Sequence, residues 1–214
     1  MIKWLAAAVT LVAVSTAPAF ADPVLDGRIS ALARAWDHAQ FEVTPVDARL
    51  TELRRLEAQA NALAAQYPQA AEPMVWQAII LSSEAGAEGG LGALGKATQA
   101  RDILLRAERI NPNVLNGSIF TSLGSLYAQV PGFPIGFGNR DRARQYLSRA
   151  VAINPEGIDS NYFMADFLER QHDYVQAAEY LRRAQNAPAR PGREVADAGR
   201  RREIAAMLAR IQSR

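Results

Sequence analysis

The stretch Ala143-Arg144-Gln145-Tyr146-Leu147-Ser148-Arg149-Ala150-Val151-Ala152-Ile153-Asn154-Pro155 sets an alanine, a leucine four residues on, an alanine three further and a proline five beyond that. The same spacing occurs as Ala100, Leu104, Ala107 and Pro112. It returns as Ala177, Leu181, Ala184 and Ala189, offset from the quoted copy by 34 residues at every shared position. Residues at i, i+4 and i+7 share one face of a helix. Alanines on that face let helices approach closely, and a unit this short cannot bury the face alone. The period therefore predicts an all-α fold, an α-solenoid of antiparallel helix pairs with a C-terminal capping helix.

Outward from this repeat, helical spacing extends over most of the chain. It predicts helices over Val24–Gln40 (Leu25, Ile29, Leu32, Ala33 and Trp36), about Val46–Gln66, Glu72 to about Ala85, Lys96 to Asn111-Pro112, Ser118–Gln129, Arg140–Ile153, Ile158–Gln171, Tyr174–Asn186 and Glu194–Gln212. Thr44 is a candidate cap, Pro45 suits a first helical position, and Asp47 favours the N-terminal dipole. Asp173 followed by Gln176 resembles a capping box. Two segments interrupt the pattern: the glycine-rich Gly86–Gly95, expected as a flexible loop, and Val130–Gly138. No stretch alternates long enough for a strand. The expected organisation is a segment at 1–21 and one helical-repeat domain at 22–214. Within it lie a degenerate pair at 24–68, repeats at about 73–113, 116–156 and 158–190, and a last helix at about 194–212.

Residues 1–21 read as a cleavable signal peptide: Lys3, an apolar run from Trp4 to Val14, then Ala19-Phe20-Ala21. The run falls short of the ~20 residues that span a bilayer. Cleavage is expected after Ala21, and a periplasmic or secreted location follows. The chain has no cysteine, which excludes disulfides, thiolate metal sites and a lipid-bearing cysteine. Net charge is +2, and Lys3 is the only charged residue before Asp22, so no broad field attracts nucleic acid or membrane. Arginine does concentrate at Arg190, Arg193, Arg200, Arg201, Arg202, Arg210 and Arg214, interleaved with Glu194, Asp197 and Glu203. This reads as a solvated helix face with i,i+4 pairs, with a basic docking patch as the alternative.

The pattern resembles the tetratricopeptide repeat family. Phe120-x-x-Leu123-Gly124-x-x-Tyr127 is similar to its first helix, and Ala143, Leu147, Ala150 and Pro155 to its second. The next unit keeps the period with Asn161, Met164, Ala165, Leu168, Ala177, Leu181 and Ala184, and the preceding one starts at Trp76-x-x-Ile79. The stretch from the Pro131-Gly132-Phe133-Pro134 loop through Asn154-Pro155, Gly157-Ile158-Asp159 and Asn161-Tyr162-Phe163 to Asp197-Ala198-Gly199-Arg200-Arg201 is also similar to periplasmic T-components of TRAP transporters. That resemblance implies association with a solute-binding subunit.

Little in the chain demands catalysis. Gly90-Leu91-Gly92-Ala93-Leu94-Gly95-Lys96 fits GxGxxG and most of a phosphate loop, but Ala97 stands where a hydroxyl belongs and a helix precedes it instead of a strand. His38 and His172 lack a partner ligand at helical spacing, and no G-x-S-x-G occurs. Glu156 and Asp159 sit where acids favour a helix dipole. No cofactor and no metal are expected. Phe133, Ile135 and Phe137 alternate with Pro134 and Gly136, either folded back over a helix end or exposed as an interface.

The function expected is an exported, non-enzymatic protein-interaction module that holds a peptide or protein in a concave groove. The alternative is an accessory subunit of a periplasmic solute-transport system. Register with the family implies Gln77, Leu81, Glu84, Thr121, Ser125, Tyr162, Asp166 and Glu169 as groove positions, with Phe133 and Phe137 as further protein-binding candidates. The partner is a protein, with no nucleic acid and no stable membrane insertion after signal cleavage.

Overall fold

The computed structural model describes residues 22–213, so the expected signal segment and Arg214 lie outside the described residues. Nine α-helices follow one another in this span: α1 (Pro23–Phe41), α2 (Val46–Gln66), α3 (Ala71–Glu88), α4 (Gly90–Ile110), α5 (Ser118–Gln129), α6 (Arg140–Ile153), α7 (Ile158–Arg170), α8 (Tyr174–Gln185) and α9 (Glu194–Gln212). A 3-10 turn at Val114–Gly117 precedes α5. The described residues contain no strand, only an isolated bridge between Gly132 and Gly138.

Consecutive helices pack as pairs, α1 with α2 through α7 with α8, giving an α-solenoid of antiparallel pairs. The odd-numbered helices touch in the order α1, α3, α5, α7, α9 and form an inner layer. α9 caps the solenoid against α7 and α8, and it also reaches α1. The inner layer therefore curls until its two ends meet.

The repeat positions account for the packing between layers. Ala100, Leu104, Ala107, Ala143, Leu147, Ala150, Ala177, Leu181 and Ala184 are all 0% exposed. A Cβ on Gly124 would lie 2.5 Å from Leu147 Cγ, which is the close approach that the small residue permits. Asn161 donates through Nδ2 to the carbonyls of Pro155 and Gly157, both at 2.8 Å, and so pins the turn before α7. At the N-terminal end, Trp36 sits edge-on to Phe41 and Trp76 and donates to Ser83 Oγ at 2.9 Å, tying α1 to α3.

Several local expectations need correction. Gly86–Gly95 is not a loop: α3 runs to Glu88, α4 starts at Gly90, and the turn is Gly89 at φ 64°. Glycine inside a helix costs up to about 1 kcal/mol, but the long α3–α4 contact overrides that propensity. Pro45 occupies the cap position of α2 with no side-chain cap bond, so Thr44 does not cap it. Asp173 caps α8 by accepting from the Gln176 backbone N–H, while the Gln176 side chain returns to the same carboxylate.

Truncating Leu147 to alanine is expected to cost about 2–5 kcal/mol. Gly124→Ala places a methyl against Leu147 and destabilises as well. Because the two positions share one contact, the double variant should cost less than the sum, as measured by urea unfolding of all three.

Candidate interaction surface

The α3 candidates face the outer layer. Gln77 Nε2 donates to Asn61 Oδ1 on α2 at 2.7 Å. Leu81 is 2% exposed and belongs to the main core. Glu84, 1% exposed, sits between Arg54 of α2 at 3.4 Å and Lys96 of α4. Burial and a hydrogen bond with Glu84 push the neighbouring Glu57 carboxyl up. The groove register on α3 is therefore corrected: Leu81 and Glu84 offer no surface to a partner. Thr121 is also buried, its Oγ1 donating to the Gly117 carbonyl at 3.3 Å.

The remaining candidates from α5 and α7 come together. Gln129 Nε2 donates to Ser125 Oγ at 3.0 Å and to Asp166 Oδ2 at 3.3 Å. Arg170 Nε donates to the same Asp166 oxygen at 2.9 Å. Further along, Arg210 of α9 donates to Glu169 through Nε and Nη2 at 3.3 and 3.1 Å. These groups make a polar, partly exposed ridge across three successive inner helices.

Tyr162 does not point into an open groove. Arg200 of α9 lies 4.3 Å from its ring centroid, 4.8 Å from that of Phe163 and 5.6 Å from that of Phe41. Burial first, then the Glu203 charge, pushes the Tyr162 hydroxyl up to about 12. Asp159 accepts from Arg200 Nε at 2.8 Å and Arg190 Nη1 at 2.7 Å. Burial would raise the Asp159 carboxyl, but Arg200 and then Arg190 outweigh it and hold it at about 2. Arg193 clamps the buried Asp37 of α1 with two bonds of 2.7 Å and covers the Trp76 ring at 5.2 Å. Arg202 donates to the Phe41 carbonyl at 3.3 Å, and Arg201 to that of Ala187 at 3.0 Å.

Arg190, Arg193, Arg200 and Arg201 are thus corrected from a solvated face to the fasteners of α9, while Arg202 and Arg210 remain exposed and Arg214 lies outside the described residues. Opposite charge on α7 and α9 was readable in the chain, but a pairing such as Arg193 with Asp37, 156 residues apart, leaves no local spacing signal.

The α5–α6 loop divides its aromatic residues. Phe137 folds inward, edge-on to Tyr127 at 5.4 Å, with the Arg101 guanidinium 4.4 Å from its ring centroid. Phe133 is 95% exposed and Ile135 63%.

Gly90–Gly95 forms the first turns of α4, and Lys96 is engaged by Glu84 and by Glu88 at 2.7 Å. His38 Nδ1 pairs with Glu42 at 2.7 Å, and His172 Nδ1 with the Tyr174 hydroxyl at 2.8 Å. Among the described residues no group of three or more His, Cys, Asp or Glu is arranged to hold a metal, and no helix is long and apolar enough to cross a membrane.

The Asp159 seam sets an acid limit. A carboxyl depressed in the folded state stabilises above its ordinary 3.8 and loses that contribution as pH falls toward about 2. The melting temperature should drop through that window, and Asp159→Asn should flatten the drop while melting lower at pH 7. Arg200→Met should cost about 1–2 kcal/mol, less than breaking a fully buried pair, because the Asp159 carboxylate it leaves is half-buried and keeps Arg190. Calorimetric melting against pH measures both.

No family profile and no curated protein matches the chain. Among solved structures, TTC0263, a thermophilic tetratricopeptide-repeat protein of Thermus thermophilus, matches with TM-score 0.57 and 17% identity over 86% of this chain and 99% of its own. A structure of Pseudomonas aeruginosa PilF matches with TM-score 0.36 and 14% identity over 89% of this chain and 99% of its own. Neither supports the resemblance to transporter T-components. Helix pairs on an alanine–leucine period, stacked into two layers and matched to the Thermus protein over most of the chain, establish that this chain has the tetratricopeptide-repeat fold.

Proposed function

We propose that the chain is an exported, non-enzymatic module that binds a peptide or protein partner along the ridge of Ser125, Gln129, Asp166 and Glu169. The fold supports an interaction role in general, since helical-repeat solenoids offer extended surfaces to other chains. The observation that carries the assignment is the link from Gln129 to both Ser125 and Asp166, which joins donors and acceptors of two inner helices at the surface. Such a row can meet the backbone amides of an extended tail or the polar face of a helix. Tyr162, covered by Arg200 of α9, is left out of the contact surface. Export rests on Lys3, the apolar run Trp4–Val14 and Ala19-Phe20-Ala21.

Two measurements test the reading. N-terminal sequencing of protein from a periplasmic extract should begin at Asp22, and intact Met1 recovered with membranes would contradict export. Ser125→Arg with Asp166→Lys should weaken capture of the partner from that extract by at least ~10-fold, about 1.4 kcal/mol. Equal capture by a variant that melts like the parent would remove the ridge as the contact surface.

A further inference from the structure

The α5–α6 loop is a fixed projection with an apolar tip. Gly138 N–H donates to the Pro131 carbonyl at 2.9 Å, Ile135 and Gly136 N–H both donate to Gly132 at 3.1 Å, and Asn139 N–H donates to Tyr127 at 2.9 Å. Phe137 anchors the inner side. A Cβ on Gly136 would lie 2.6 Å from the Pro131 oxygen, and one on Gly138 would overlap the Val130 carbonyl, so this path admits only glycine at both places. A backbone held this way loses little further freedom when its tip is bound. The tip presents Phe133 and Ile135 to water on either side of Pro134. The other large exposed apolar residues, such as Val24, Val46, Ile110 and Val175, stand singly at separate places along the helices.

Beside the tip lies a hollow of about 480 Å³ between the loop and the end of α7, lined by Gly132, Gly138, Asn139, Arg140, Arg170 and Gln171 among others. Arg140 is exposed and makes no ion pair among the described residues. Helix α6 carries Arg140, Arg142, Arg144 and Arg149 against the single acid Asp141. Arg140 and Arg142, at the start of α6, therefore set basic charge beside the apolar tip, whereas Arg144 lies over Phe167 and Arg149 pairs with Glu108 farther along the helix.

We propose that this loop docks the protein peripherally on an anionic lipid surface, with Phe133 and Ile135 entering the boundary between headgroups and acyl chains while Arg140 takes a lipid phosphate at the hollow. The guanidinium fork suits phosphate oxygens. Apolar insertion and basic attraction are each marginal alone and together hold a protein at an interface. The small net charge of the chain does not oppose this, because salt screens beyond ~10 Å at 0.1 M and leaves the local patch to decide. The contact is interfacial, since no described helix is long and apolar enough to span. It does not depend on the protein-binding ridge, and the variants below leave the ridge side chains untouched.

Sedimentation with phosphatidylcholine vesicles, with and without phosphatidylglycerol, tests the proposal on protein recovered after export, every variant being made in the same chain. Binding should require phosphatidylglycerol and weaken with added salt. Phe133→Asp and Ile135→Asp should each reduce it by at least about 10-fold, Arg140→Glu should reduce it and its salt dependence, and Val175→Asp should leave it unchanged. Melting curves of the tip variants should match the parent, because the altered side chains are exposed. Failure of the parent to bind phosphatidylglycerol vesicles overturns the proposal, as does full binding by Phe133→Asp. Self-association of the parent without vesicle binding, abolished by Phe133→Asp, also overturns it and gives the tip to a second copy of the chain.

Discussion

Arg200 holds the architecture together. Its side chain is 9% exposed, and a guanidinium taken out of water costs several kcal/mol unless its charge and donors are met. They are met from two ends of the chain: Asp159, Tyr162 and Phe163 belong to α7, Phe41 to α1, and Glu203 lies one turn on in α9 itself. One side chain therefore dictates where α9 lies relative to both the last pair and the first helix. The close passage of Gly199 against the Phe41 ring follows, because any Cβ at that position would collide with the ring. Arg193 on Asp37 secures the same junction one step earlier in the chain.

This closure reshapes what the molecule can do with a solenoid's inner face. A solenoid left open offers a continuous trough, whereas here α9 covers Tyr162 and meets α1. What remains accessible on the inner helices is the Ser125–Gln129–Asp166 row and the Glu169–Arg210 pair at its end. The α5–α6 loop then stands out, because its path is fixed by hydrogen bonds and by glycines with no room for a side chain while its tip keeps Phe133 and Ile135 in water.

The layer packing was legible because its signal is local and periodic: Ala143, Leu147 and Ala150 repeat at a fixed offset, and each copy is buried as the spacing implies. The register of α3 was not legible. Trp76 and Ile80 meet the α1–α2 cluster while Leu81 and Ala85 meet the larger core, so apolar residues surround the helix and no stripe identifies a groove. Gly86–Gly95 misled for a related reason: glycine content reports backbone entropy, whereas the packing of α3 against α4 that outweighs it is a contact between the two helices the segment joins. The arginines of α9 could be seen as a charge run, but the acids they seek are on α7 and α1, and only the folded chain brings those together. The division of the 133–137 loop, with Phe137 in and Phe133 out, turns on Arg101 and Tyr127, neither adjacent in sequence.

The closure of the inner layer by α9 onto α1 can be read in solution. The chain has no cysteine, so spin labels can be placed on single introduced cysteines at the exposed positions His38 and Ala198 without a competing thiol. Pulsed electron–electron resonance between them reads the α1–α9 separation in solution. Closure predicts one short, narrow distance distribution. A broad or long distribution would mean that the two ends of the inner layer stand apart, and would contradict it.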